Sequence, residues 1–245
     1  MVKIVPVDPK RHAGKGWRRP IGYDFAAGDS LVPLGGSEFA RAASAMPIGF
    51  VERSGRYTPV ALTAVTKGSN VFVGPTGRWL GSYVPAVLRC YPFSLVRFEG
   101  SELATLCIDE DSGLIVDDAG ENAEKFFEPD GSPSAATNVI TAFLRQIEHD
   151  KTITDLATAA LAEAGVIKPW PLTVPVGKQQ VTVSGLCRVD ESALNALDDE
   201  TFLKLRKASA LVVAHGQLMS MNQVSVLSRL AFIQQQMVQS SQVSA

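Results

Sequence analysis

The chain has 245 residues, of which 46% are hydrophobic and 20% are charged. Because a chain of this length and composition can bury a sizeable core, we expect a globular rather than a disordered protein. The formal net charge of -2 provides no overall basic field, which disfavours nucleic acid as a partner.

Apolar runs are too short to cross a bilayer, which requires roughly 20 residues. The start, MVKIVPVDPKRH, lacks the apolar segment of a secretory signal peptide. Cys90, Cys107 and Cys187 show no CxxC spacing, which predicts reduced, buried thiols rather than a disulfide scaffold. These features predict a cytoplasmic protein without a membrane span.

Strand signals dominate the first part of the chain. Short β-branched and aromatic runs separated by Gly, Ser and Asn turns predict an antiparallel meander. A helix with Ser37 as its N-cap and Pro47 as its stop interrupts them, VPAVLRC predicts one or two helical turns, and Gly100 lies in a hairpin turn. The predicted strands are KIVPV, IGFVER, YTPVALTAV, NVFVG, SLVRFE and ELATLCID.

Helix signals begin after SGLIVDDAGENAEKFFEPDGSPS, which predicts a loop. Ser134 is a predicted N-cap for a helix that ends near His149. A second helix is predicted from Thr152 to Ala164, with Gly165 as the residue that ends it.

The rest of the chain predicts one hairpin followed by helices. The hairpin turns near Gly177, and Asp190 and Asp198 are predicted helix N-caps. FLKLRKASALVVAHGQLMSM predicts one long apolar helix. The small residues that permit close packing of this helix are Ala208, Ala210, Ala214 and Gly216.

This order of elements predicts the α+β class, with an antiparallel β-sheet or meander in the N-terminal two-thirds packed with a helical C-terminal region. No internal repeat or long linker divides the chain, so a single domain is predicted over 1–245. Its parts are 1–118, mainly β; 134–164, a helical pair; 172–189, a β-hairpin; and 190–238, helical.

The stretch CIDEDSGLIVDD concentrates acidic side chains and has three interpretations. An EF-hand loop starting at Asp109 would need a ligand at position 5 and Gly at position 6, but Gly113 and Leu114 lie there. A looser divalent site from Asp109, Asp111 and Asp117 and a catalytic pair of Asp109 and Asp111 stay open. We favour a strand exit, because Asp, Ser and Gly are turn residues.

Other catalytic signatures do not occur in the sequence. His12, His149 and His215 are too far apart for a local metal site such as HExxH. His215 lies among apolar residues, which predicts a buried, hydrogen-bonded core histidine. Because GxSxG, GxxxxGK[ST] and GxGxxG are absent, we predict no catalytic residues, no metal and no cofactor.

Basic and aromatic residues suggest interaction surfaces. RHAGKGWRR at residues 11–19 can contact phosphate or an acidic partner, although a solvated loop is favoured. Trp and Tyr are common at interaction hot spots but also fill cores, and Trp79 and Tyr83 fit either role. The candidate ligand or interface residues are Trp79, Tyr83, Arg89, Tyr91, Asp109, Glu110 and Asp111.

These motifs resemble the bacterial SapC-like family, which is associated by name with surface (S-) layers. The likeness covers nearly the whole chain and is strongest in NVFVGPTGRWLGSYVPAVLRCYPFSL and LCIDEDSG. Its motifs indicate membership and carry no established catalytic residues. The segment AHGQLMSM near the C-terminus matches the family pattern more loosely. The positions that match the family pattern are Tyr83, Pro85, Arg89, Tyr91, Pro92, Phe93, Asp109, Glu110, Asp111 and Ser112.

Two functions follow as expectations. The resemblance implies a cell-surface or virion-associated role, and with the missing catalytic signatures it favours a non-enzymatic structural or interaction protein, surface-layer-associated or part of a larger assembly such as a phage virion. Its partners would be other proteins or further copies of itself. The alternative is a small-ligand- or divalent-metal-binding protein or enzyme with a site around Arg89 and Asp109/Asp111.

Overall fold

The computed structural model of the protein describes residues 3–101, 103–120, 122–177 and 179–243. The fold is α+β, as predicted, with antiparallel sheets mainly in the N-terminal part and helices mainly in the C-terminal part. The strands are β1 (Ile4–Pro6), β2 (Gly16–Trp17), β3 (Leu31–Pro33), β4 (Ile48–Arg53), β5 (Arg56–Leu62), β6 (Phe93–Val96), β7 (Thr105–Asp109), β8 (Ile115–Val116), β9 (Glu124–Lys125), β10 (Ile167–Pro169), β11 (Leu172–Val176), β12 (Gln179–Val183) and β13 (Leu186–Val189).

The helices range from single turns to eight turns in length. Across the described part of the chain, none combines the length and apolarity that a bilayer crossing requires. The α-helices are α1 (Pro9–His12), α2 (Phe39–Ala42), α3 (Ala86–Arg89), α4 (Ala135–Glu163), α5 (Glu191–Asn195), α6 (Asp199–Lys207), α7 (Ala210–Ser220) and α8 (Val224–Val243). Short 3-10 turns lie at Asp24–Ala26, Gly36–Glu38, Glu110–Ser112 and Met221–Gln223.

The described chain divides into two compact units, each assembled from two chain segments. Unit 1 contains residues 3–21 and 89–149, and unit 2 contains residues 22–88 and 150–243. Helix α4 contributes its N-terminal half to unit 1 and its C-terminal half to unit 2. Because the segments alternate along the chain, no single cut separates the two units.

Unit 1 contains two three-stranded antiparallel sheets with the strand orders β1-β7-β6 and β8-β2-β9. Ile108 on the central strand β7 lies opposite both Val5 and Phe93 and is fully buried. The Trp17 ring meets Phe93 edge-on, with 4.8 Å between ring centroids. The core of unit 1 is formed by Val5, Trp17, Cys90, Phe93, Ile108, Phe126 and Leu144.

Gly16 allows β2 to pair on both edges. It lies opposite Val116 on one side and Lys125 on the other. A Cβ atom at this position would lie 2.8 Å from the Cα of Ala119 and 3.0 Å from the carbonyl oxygen of Glu124. Because these are backbone atoms that cannot rotate away, the close approach requires glycine.

Unit 2 is built on a five-stranded sheet with the order β10-β13-β4-β5-β3, and β11 and β12 form a separate hairpin. The β4–β5 hairpin turns through Ser54 and Gly55, which both have positive φ, as two-residue hairpin loops require. The largest fully buried side chains of unit 2 are Phe39, Phe50, Phe72, Met46, Ile48, Leu62, Leu161, Leu205 and Leu227.

Helix α7 packs closely on α2, as its small residues predicted. A Cβ atom at Gly216 would lie 2.8 Å from the Cδ1 atom of Phe39. Ala210 and Ala214 are fully buried. The small side chains thus let the helix backbone approach a buried aromatic ring.

Gln217 of α7 joins two strands where their regular pairing ends. Strands β13 and β4 pair at Leu186–Val51 and Cys187–Phe50. Two residues further, the Val189 N–H donates to the Gln217 Oε1 at 2.9 Å, and the Gln217 Nε2 donates to the Ile48 carbonyl at 3.1 Å. The buried amide therefore replaces backbone hydrogen bonds between the strands.

Several local predictions are confirmed. The Ser134 hydroxyl accepts from the Thr137 N–H, and the Asp190 and Asp198 carboxylates accept from backbone N–H groups of the helices that follow them. Gly165, after α4, and Gly177, between β11 and β12, both have positive φ. Backbone capping and turn chemistry are local, which explains why the sequence predicts them.

The predicted helical pair at 134–164 is wrong, because α4 is one continuous helix. The polar residues after His149 do not break it. Thr154 donates its hydroxyl to the Asp150 carbonyl and Thr158 donates to the Thr154 carbonyl, so both satisfy their polar groups within the helix. No glycine or proline lies in this range to end the helix.

The predicted long apolar helix is also wrong, because α6 ends at Lys207 and α7 begins at Ala210. Ser209 between them has a φ of 58°, a conformation that no Gly or Asn signals here. His215 is exposed on α7, which contradicts its prediction as a core histidine. The helix turns its small residues inward and leaves the imidazole outside.

Three further predictions differ from the structure. NVFVG forms an isolated bridge between Val73 and Trp79 rather than a strand, because the Asn70 side chain bonds the Phe72 N–H and turns the chain. Ser37 lies inside a 3-10 turn that Gly35 precedes and is not an N-cap. The predicted loop after residue 112 contains the short strands β8 and β9, which pair with β2.

Candidate functional site

The acidic stretch forms the end of a strand, as the favoured interpretation predicted. Strand β7 ends at Asp109, and the 3-10 turn Glu110–Ser112 follows directly. Gly113 then adopts a φ of 70°, which glycine tolerates without strain. The consecutive acids therefore face different surroundings and have different roles.

Asp109 is a buried structural acceptor. The residue is only 5% exposed. Its Oδ1 accepts from the backbone N–H groups of Lys3 and Asp111, both at 3.1 Å. The Tyr91 hydroxyl donates to its Oδ2 at 3.3 Å. Burial and the nearby carboxylate raise the pKa of Tyr91. This carboxylate thus joins the residue before β1, the end of β7 and the 3-10 turn.

Glu110 is held by two cationic side chains. The Arg11 guanidinium donates through Nε to Oε1 and through Nη2 to Oε2, the second at 2.6 Å. The Lys3 Nζ lies 2.9 Å from Oε2. These partners lower the pKa of Glu110 to about 2. A carboxylate that is ionised and doubly paired at neutral pH is poorly suited to transfer a proton.

His12 lies beside this ion cluster in a buried position. Its Nδ1 accepts from the Asp8 N–H at 3.2 Å, and its ring packs on Phe126 with 4.9 Å between centroids. Its Nε2 is 3.9 Å from the Glu110 Oε1 and has no hydrogen-bond partner among the described residues. Burial lowers the pKa of His12, so the folded protein favours the neutral ring.

The other predicted ligands do not converge on the acids. Asp111 is exposed, and the Arg89 guanidinium lies over the Phe143 ring, 5.0 Å from its centroid. In the described ranges, no ion pair joins Arg89 to Asp109 or Asp111. Nor does any group of three or more His, Cys, Asp or Glu residues in those ranges have the geometry to hold a metal ion.

Trp79 and Tyr83 belong to a network in unit 2. Trp79 is buried in the core and donates its Nε1 to the Tyr83 carbonyl at 2.8 Å. The Tyr83 hydroxyl and the Ala86 N–H both donate to the Glu38 Oε1 at 2.7 Å. The Gly35 N–H donates to the other Glu38 oxygen at 3.0 Å. The network connects the turn before α2 to the segment before α3.

Sequence reasoning missed four residues that organise these clusters, namely Lys3, Arg11, His12 and Glu38. Glu38 carries a weak local signal, since an acid at the third position of a helical turn can accept from the backbone N–H that precedes the turn, as Glu38 does from Gly35. The other three lie about a hundred residues from Glu110 along the chain, and no local pattern links them. None of the three cysteines, all of which lie in the described ranges, forms a disulfide, and Cys90 and Cys107 are buried while Cys187 is half-buried.

Acidification is expected to destabilise unit 1 through Glu110. The folded chain holds this carboxylate at a pKa of about 2, against an ordinary value of 4.5. The carboxylate therefore contributes fully to the stability of the fold above pH 4.5, and this contribution is lost as the pH falls toward 2. Glu110→Gln should flatten the pH dependence of Tm in that range and lower Tm at neutral pH by about 3 °C. Thermal unfolding followed by circular dichroism measures both.

The matched control for this pH profile is Glu99→Gln, an exposed acid of the same unit, which should leave it unchanged. A neutral His12 is also favoured in the folded state, so a separate loss of stability as the pH falls below about 6.5 should remain in both variants. A Glu110→Gln profile that overlays the wild-type profile below pH 4.5 would contradict the role assigned to the ion cluster.

Comparison with known proteins supplies a family. The SapC family model matches residues 7–227 of the chain, which confirms the resemblance drawn from the motifs. Searches of curated proteins and of solved structures found no match. The matched range contains Arg11, His12, Asp109 and Glu110 and leaves Lys3 outside.

Proposed function

Because the chain belongs to the SapC family, we propose that it is a non-enzymatic structural or interaction protein of a larger assembly, such as a bacterial surface layer or a phage virion. The assembly contact that we propose is between copies of the chain, through the outer face of α7. The observation that carries this proposal is the combination of apolar character, exposure and missing charge on that face.

The outer face of α7 consists of Val212, His215 and Met219, which lie at helical spacing. Val212 is 60% exposed and Met219 is 68% exposed, and His215 between them is also exposed. The opposite face of the same helix is buried through Val213, Ala214 and Gln217. Exposed apolar side chains on one face of a helix are the kind of surface that protein contacts cover.

Helices carry most of the exposed apolar side chains in this part of the chain. Among the described residues from 139 onward, each large apolar side chain with high exposure lies on a helix. They are Val139, Ile153, Leu156, Phe202, Leu203, Val212, Met219, Phe232, Met237 and Val238. Apart from Val139, which lies in unit 1, these residues belong to unit 2, and on α7 Val212 and Met219 lie two turns apart on one face.

A second copy is the occupant that the chemistry of this face favours. In a two-fold symmetric contact, each surface meets the same surface of the other copy, so charged residues near the axis repel their equivalents. Val212, His215 and Met219 carry no formal charge when the histidine is neutral. Self-pairing of this face therefore buries apolar area without placing like charges together.

Light scattering coupled to gel filtration tests the contact. The wild-type chain should show a mass at least twice its 26.2 kDa. The double variant Val212→Asp with Met219→Asp should weaken self-association by about tenfold or more, because the contact would bury and desolvate each new carboxylate. Val139→Asp on α4 is the matched control and should leave the mass unchanged. A strict monomer at high concentration that also binds no lattice or particle would overturn the proposal.

The alternative function stays a prediction. It is a small-ligand- or divalent-metal-binding protein or enzyme with a site around Arg89 and Asp109/Asp111. A thermal-shift screen with Ca, Mg, Mn, Fe and Zn tests its metal form, which the lack of a shift with every ion would remove. The proposed assembly role is preferred because it has an exposed surface to support it, whereas Asp109 already has three hydrogen-bond donors.

A further inference from the structure

A depression of about 630 Å³ lies in unit 1 where β2 ends and β8 and β9 begin. We propose that it binds a small molecule that carries a carboxylate or phosphate group next to an apolar part. The lining residues that the proposal uses are Trp17, Arg18, Arg19, Ile21, Asn122 and Glu124.

The described lining of the depression is positively charged. Within the basic segment at residues 11–19, Arg11 pairs with Glu110 and Lys15 with Asp117. Arg18 and Arg19 are exposed, and neither has an ion-pair partner in the part of the chain that the structure describes. Among the described residues that line the depression, Glu124 is the one acid, so Arg18 and Arg19 give this described lining an excess of positive charge.

The backbone that carries Arg18 and Arg19 is fixed by strand pairing. Strand β2 pairs with β8 on one side and β9 on the other, and the Arg18 N–H extends that pairing by donating to the Leu114 carbonyl at 2.9 Å. Trp17, directly before the arginines, is 1% exposed. The backbone that carries the arginines is therefore held in place before a ligand arrives, which reduces the entropic cost of binding.

The hydrogen-bond donors of the lining suit an oxyanion. A planar guanidinium presents parallel N–H donors that fit both carboxylate and phosphate, and the Asn122 amide adds a further donor. The fully exposed Ile21 side chain supplies apolar surface for the uncharged part of the ligand.

Isothermal titration calorimetry at low ionic strength tests this site with two probes, phenyl phosphate and benzoate. We expect saturable binding of at least one probe, with the tighter probe identifying the preferred oxyanion. The double variant R18Q/R19Q should weaken that binding by about tenfold or more, since both charge-assisted contacts are lost. The matched control R53Q/R56Q removes two exposed arginines from the β4–β5 turn and should leave the affinity unchanged.

Folding of R18Q/R19Q is checked by its Tm, which should equal the wild-type value because both side chains are exposed. If that variant unfolds, R18K/R19K keeps the charge while removing the guanidinium forks and should bind more weakly than wild type. The proposal is overturned if neither probe gives saturable heat, if the folded arginine variants bind as tightly as wild type, or if R53Q/R56Q loses affinity to the same extent.

Discussion

Replacing Gln217 with leucine is expected to lower the free energy of unfolding by about 3 kcal/mol. The side chain is fully buried and satisfies the Val189 N–H and the Ile48 carbonyl at the same time. Leucine fills a similar volume but cannot hydrogen bond, so the buried Val189 N–H loses its partner and the Ile48 carbonyl keeps only the Ser220 hydroxyl, at 3.5 Å. Each such group costs about 1–3 kcal/mol when it is left unsatisfied. Urea unfolding followed by circular dichroism measures the change.

The matched control for Gln217 is Gln235→Leu on α8, an exposed glutamine, which should change stability by less than about 0.5 kcal/mol. Hydrogen exchange adds a local readout, because the Val189 amide loses its acceptor in the Gln217 variant and should lose protection. Ile48 also donates its N–H to the Ser220 hydroxyl at 2.9 Å, so both backbone groups of that residue depend on α7. A Gln217→Leu variant as stable as the control would refute the bridging role.

Replacing Trp17 with alanine is expected to cost about 3–5 kcal/mol of stability, the range for large aromatic side chains removed from a core. Trp17 lies in the small core of unit 1 and contacts Phe93 edge-on. A small core has few neighbouring side chains that can move into the cavity. Hydrogen exchange should show the loss of protection mainly in β2, β8 and β9.

Trp17→Phe is the informative control for this prediction. Phenylalanine keeps an aromatic ring against Phe93 and removes the indole N–H, which is buried without a partner among the described residues. The expected loss of unfolding free energy is about 1 kcal/mol, because the cost of the small cavity is partly offset by the removal of an unsatisfied donor. If both variants lost the same stability, packing of the ring would not be the reason for the burial of Trp17.

In the candidate site, the end of the strand could be predicted from the sequence, but the ion-pair partners of Glu110 could not. CIDEDSG predicts a strand exit because Asp, Ser and Gly act on the backbone within a few residues, and the structure places that exit after Asp109. The partners of Glu110 could not be predicted. Lys3 and Arg11 approach Glu110 because β1 pairs with β7, and that pairing is a long-range contact.

Family membership was also readable from the sequence, since the motifs lie in order along most of the chain and the SapC model matches residues 7–227. The sequence did not predict which contacts the residues of AHGQLMSM make. In the structure, its Gln217 and Ser220 hydrogen bond to the backbone of β4. In this chain the segment therefore attaches helix α7 to the sheet of unit 2.

The sequence alone determined the α+β class, the β4–β5 and β11–β12 hairpins, and the caps at Ser134, Asp190 and Asp198, because these depend on periodicity and on hydrogen bonds to nearby backbone. Only the tertiary structure decided that α4 is continuous and that α6 and α7 separate at Ser209. It also decided that His215 faces solvent while His12 is buried. The physical reason is that burial and helix ends without Gly or Pro depend on packing partners distant in sequence, which no local pattern records.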